Sequence, residues 1–167
     1  MDKVADDIDF ITMHNILYYL YTGCVNLRLR FSKREEFPPD QIAHPDGYPP
    51  KAEPLSLYKN AKKLLLDDLK DYCIKYLKAT LSVNNVSKRL FARDEDLEGH
   101  DELVEMYVEY ILTNFDKVKL TKEWKNALVG GPGFPETSKF RGAILGTITE
   151  RLSFTEANQS SDGETDD

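Results

Sequence analysis

The chain has 167 residues, 41% of them apolar, which suits a single core or one core with an appendage. Its net charge is −7, and residues 155–167 contribute five acids (Glu156, Asp162, Glu164, Asp166, Asp167) and no base. An acidic chain without a basic stripe repels phosphate backbones, so no nucleic-acid partner is expected.

Residues 1–9 form an acidic lead. Over residues 10–22, Met13, Ile16, Leu17 and Leu20 recur at the three-and-four spacing of one helical face, with Asp9 or Thr12 placed to cap the start. Gly23 ends that helix. Val25-Asn26-Leu27-Arg28-Leu29 then alternates apolar with polar, the pattern of one short strand. Residues 31–54 are a proline-rich loop, with Pro38, Pro39, Pro45, Pro49, Pro50 and Pro54 excluding regular helix. Helical periodicity returns at Leu55, through Leu57, Ala61, Leu64 and Leu65. A fresh helix starts near Asp67 or Asp68 and buries Leu69, Tyr72, Cys73, Tyr76 and Leu77.

Asn84 or Asn85 is placed to cap a short helix with Val86, Leu90 and Phe91 inward. A longer helix to about Asn114 buries Leu103, Met106, Tyr107, Tyr110 and Ile111. Thr121 caps a further turn or two bearing Trp124 and Leu128, and Gly130-Gly131-Pro132-Gly133 breaks it. The last helix, from about Glu136 to Leu152, offers Phe140, Ile144, Ile148 and Leu152. Residues 153–167 are polar and acidic and are expected to be a disordered tail. The fold class is therefore mainly α, a helical array of six or seven helices with one short strand.

No reacting site can be assembled from these residues, and no enzyme, cofactor or metal is expected. His14, His44 and His100 sit on three separate segments without a helix-spaced partner. Cys24 and Cys73 are 49 positions apart, which gives neither a CxxC pair nor a zinc knuckle. The glycines at 130, 131 and 133 lack the Lys-Ser/Thr of a phosphate loop, and the acids at 94–101 lack the spacing of a calcium loop. The longest apolar run, residues 16–21, is six residues long, so no membrane span is expected. The acidic start has no secretory core, and the expected location is intracellular, cytoplasmic or nuclear. Tyr18, Tyr19 and Tyr21 cover most sides of the first helix, which fits either a core or a partner surface. Ser160 and Ser161 lie among acids, with Ser161 three residues before Glu164, and are candidate phosphorylation sites.

The segment Met13-His14-Asn15-Ile16-Leu17-Tyr18-Tyr19-Leu20-Tyr21-Thr22-Gly23 resembles the late helix of a BTB/POZ domain, which closes on Tyr-x-Tyr-Thr-Gly. The strand-like residues 25–29 match the short strand after that helix, and Leu55-Ser56-Leu57-Tyr58-Lys59-Asn60-Ala61, continuing to Tyr72-Cys73, is similar to the final BTB helix pair. Val118, Thr121, Trp124 and Leu128 resemble a pattern in the helical BACK extension of speckle-type and fungal BTB proteins. The resemblance implies a partial BTB/POZ domain over residues 10–81 and BACK-like helices over 82–152. It further implies a protein–protein interaction adaptor, in some members a substrate adaptor on the cullin scaffold of a ubiquitin ligase. Alternatives are a BTB-related or transcription-linked interaction protein with no cullin role, and a truncated fragment with no independent function. The portion that carries most of the family's homodimer interface has no counterpart in the sequence, which leaves conventional BTB homodimerisation doubtful and apolar surface on the first helix in need of another partner. Candidate partner-binding residues are Tyr18, Tyr21, Val25, Leu27, Leu29 and Phe31. The family's apolar-x-acid cullin motif has no counterpart in residues 24–30, and Phe31-Ser32-Lys33 lacks the acid.

Overall fold

The computed structural model describes residues 8–27, 48–92, 96–130 and 139–161, with side chains to Ser153. Eight helices appear among them, and the molecule is mainly α. It divides into two compact units, Met1–Thr80 and Leu81–Asp167.

The first unit holds α1 (Phe10–Thr22), α2 (Pro54–Lys63) and α3 (Asp67–Ala79). Asp9 caps α1, its carboxylate accepting from the Thr12 N–H at 3.0 Å. At the other end Gly23 takes φ 70°, a left-handed conformation that a side chain disfavours, and its N–H donates to the Tyr19 carbonyl. Pro54 opens α2, where a missing N–H costs nothing. Leu57, Tyr58 and Ala61 point inward from α2, and Leu69, Cys73 and Leu77 from α3. The two helices pack on each other, and α2 also packs on α1.

Four expectations for this unit are corrected. The inward face of α1 is Thr12, Asn15 and Ile16, while Leu17 and Leu20 face solvent. Helix α2 stops at Lys63, leaving Leu64 and Leu65 exposed in a turn where Leu65 adopts φ 57°, and Tyr72 is exposed on α3. No strand forms at residues 25–27. There is only an isolated parallel bridge between Leu27 and Ala52. The ladder does not extend because the Asn26 N–H is taken by the Asn15 side chain, and Pro49 and Pro50 have no N–H to give. Arg28, Leu29 and most of the proline-rich loop lie outside the described residues.

The second unit holds α4 (Val86–Phe91), α5 (Asp101–Thr113), α6 (Phe115–Val118), α7 (Lys122–Val129) and α8 (Lys139–Ser161). Asn85 precedes α4 and accepts the Ser82 N–H at 3.0 Å, holding the entry turn. Val86, Leu90 and Phe91 of α4 meet α5 and α7, and α5 also packs on α8. Leu103, Met106, Tyr107, Val108 and Ile111 form the buried face of α5. Thr121 caps α7 by accepting the Trp124 N–H at 3.2 Å, and Gly130 closes it at φ 68°. The Trp124 ring stands edge-on to Phe115 and Phe91, with centroids 5.7 and 6.1 Å away. Leu128 is exposed and does not join this cluster.

From α8, Ile144 and Ile148 are buried, and so is the whole of Arg141, whose guanidinium donates to the Ala127 carbonyl in the last turn of α7. A cation there complements the negative end of that helix. Arg151 makes a two-pronged pair with Glu105 of α5, at 2.6 and 3.1 Å. Helix α8 continues to Ser161, into the segment expected to be without structure. Residues 154–161 contain no proline or glycine, so extending a nucleated helix is cheap.

Candidate functional site

Among the described residues, exposed large apolar side chains occur at several turns and helix ends, and α1 carries five of them, Phe10, Ile11, Leu17, Leu20 and Tyr21. Residues 10–22 contain no charged side chain. One side of the helix is occupied internally, and Asn15 explains why a polar residue is found there. Its amide donates to the Ile11 carbonyl at 3.0 Å and the Pro50 carbonyl at 2.7 Å, and its oxygen accepts the Asn26 N–H at 3.0 Å. Asn26 repeats the device, donating to the Pro49 carbonyl at 2.8 Å and accepting the Ala52 N–H through its own carbonyl at 2.8 Å. Buried amides in such a network must satisfy all their partners, which orients α1 uniquely against the segment from Pro49 to Ala52.

With that side fixed, the opposite side is left uncovered. Phe10 is 73% exposed, Leu17 47%, Leu20 57% and Tyr21 88%. Phe10 leans on the His14 ring at 5.7 Å, and Tyr18 packs at the same distance on Tyr48. Beyond the helix, Thr22 donates its hydroxyl to the Tyr18 carbonyl and accepts the Cys24 N–H, which turns the chain sharply after Gly23. Cys24 is exposed there, and Val25 and Leu27 are half-buried.

Of the four candidate partner-binding residues that are described, Tyr21 is the exposed one. Tyr18 is half-covered by Tyr48, and Leu27 is engaged in the bridge to Ala52. Leu29 and Phe31 lie outside the described residues. Sequence reasoning missed Phe10, Leu17 and Leu20 as surface, because the strongest apolar stripe was assigned inward. The competing stripe of Thr12, Asn15, Ile16 and Tyr19 has the same helical spacing, but its anchor is an asparagine whose partners are far along the chain.

His14 sits on α1, and His100 precedes α5. His44 lies outside the described residues. Among those residues no three His, Cys, Asp or Glu side chains gather as a metal-binding group, and no helix is long and apolar enough to cross a membrane. Burial pushes the Cys73 thiol up to about 12, which makes it a poor nucleophile. The backbones of Ser160 and Ser161 are in the last turn of α8, and their side chains lie outside the described residues. Comparison with family models, with curated proteins and with solved structures finds no match to this chain.

Proposed function

We propose that this chain is a protein–protein interaction adaptor of BTB/POZ type, in its sharper form a substrate adaptor that engages a cullin scaffold. The observation that carries the reading is the uncovered apolar side of α1, ending in the Tyr-Thr-Gly turn with Tyr21 fully presented. A patch of large apolar side chains without charges is what a protein interface requires at its centre. The order of the BTB-like segments along the chain supports the family assignment, and the all-helical units are compatible with it.

The contact would run from Tyr18 and Tyr21 to Val25 and Leu27, where the family's cullin contact begins. Titration of the full chain with a purified cullin amino-terminal domain tests the sharper form. Binding at micromolar concentration, weakened at least tenfold by Tyr21→Ala, is the expected result. No binding at about 100 µM removes the cullin role.

A further inference from the structure

Phe10, Met13, Leu17 and Leu20 succeed one another at intervals of three, four and three, the repeat that keeps a seam on one side of a helix. Phe10, Leu17 and Leu20 are exposed, and the seam lies opposite the buried Thr12, Asn15 and Ile16, so α1 has one side for its own unit and another left over. We propose that the leftover side packs against the same helix of a second copy, in an antiparallel two-fold pair.

Three observations select a second copy as the occupant. The first is area: the exposed parts of Phe10, Leu17, Leu20 and the flanking Tyr21 amount to about 500 Å² on each copy, so that their complete burial reaches about 1,000 Å² across a pair, the lower bound for a specific interface and consistent with a weak dimer. The second is charge. Every residue from 10 to 22 is uncharged, so two copies meet without burying an ion or opposing like charges, although each whole chain carries −7. The third is shape, since a two-fold pair needs a self-complementary patch. In the antiparallel direction the ring of Phe10 meets the Leu20–Tyr21 end of its partner, and Met13 meets Leu17. That direction also opposes the helix dipoles and keeps the two Asp9 carboxylates at opposite ends.

The pairing uses the same uncovered side of α1, Tyr21 included, as the proposed cullin contact, so the two occupants compete for it, but the pairing rests on exposure and spacing alone and stands or falls by its own measurement. A chain that pairs without binding cullin, or binds cullin without pairing, separates the two. Sedimentation equilibrium of the full chain between about 1 and 200 µM is expected to show a monomer–dimer equilibrium in the micromolar range. Leu17→Glu with Leu20→Glu is expected to weaken it at least tenfold. Both side chains are already half in water, so far-UV circular dichroism should match the parent, and the milder Leu20→Ala serves if it does not. A parent chain that stays monomeric at about 200 µM overturns the proposal, as does a dimer that persists unweakened in the substituted chain. Mild oxidation tests the direction. In an antiparallel pair the two Cys24 residues stand about 25 Å apart, too far for a disulfide, so rapid Cys24–Cys24 crosslinking overturns that arrangement.

Discussion

Asn15 shows how one polar residue decides the placement of a helix. Fully buried, it satisfies two carbonyls and one N–H from three parts of the chain. Asn15→Ala leaves the Asn26 N–H and the Pro50 carbonyl without that partner and should cost about 2–3 kcal/mol, read as a lower urea midpoint at constant slope. A change below about 0.5 kcal/mol would show the network to be incidental. The two cysteines make a second contrast. Cys73 is buried with its thiol pushed up to about 12, and Cys24 is exposed. One thiol per chain should therefore react with a disulfide reagent at pH 8 in the folded protein, and both after unfolding. Equal reactivity of the two in the native state would contradict the burial of Cys73.

At the scale of elements, α7 is short, and its position depends on its surroundings. Thr121 starts it, Gly130 stops it, Arg141 neutralises its last turn, and Trp124 ties it to Phe91 and Phe115. Trp124→Ala removes the largest of these contacts and should destabilise the protein by about 3–5 kcal/mol in denaturant titrations monitored by circular dichroism. Most of this element was legible in the sequence. Thr121 as cap and Gly130 as stop are local signals, carried by a hydroxyl three residues before the N–H it accepts and by a backbone angle that favours glycine. Arg141 was not legible, because a buried arginine looks like a surface one until the carbonyl it serves is placed beside it.

Across the whole molecule, depressed carboxylates shape the response to acid, and among the described residues these are Asp9, Glu105 and Asp116, the last held down by the Lys119 ammonium. Burial pushes the Asp9 carboxyl up, but hydrogen bonds from Thr12 outweigh it and hold the group below its ordinary 3.8. The hydrogen bond from Arg151 holds Glu105 below its ordinary 4.5. A carboxylate whose folded value lies below its unfolded one stabilises the fold above the unfolded value, and that contribution is lost as pH falls through the folded value. The melting temperature should therefore decline as the pH is lowered from about 5 toward 2. Asp9→Asn should flatten part of that decline, since the amide keeps the cap without titrating. A profile with no acid limb, or one unaltered by the substitution, contradicts this account. The Glu105–Arg151 pair is exposed, so salt should weaken its share.

The sequence by itself determined the helical class, the ends of α1 and α7, the inward positions of α4, and those of α5 except that Val108 is buried in place of the expected Tyr110, because period, caps and glycine conformation act within a few residues. It also showed that apolar and aromatic residues cover most sides of α1, which left core and partner surface both open. Only the tertiary structure decided which side packs inward. The choice depends on Asn15 reaching Pro50 and Asn26, contacts 35 and 11 residues away, and a hydrophobic pattern does not register a polar side chain whose burial is compensated by backbone partners far along the chain.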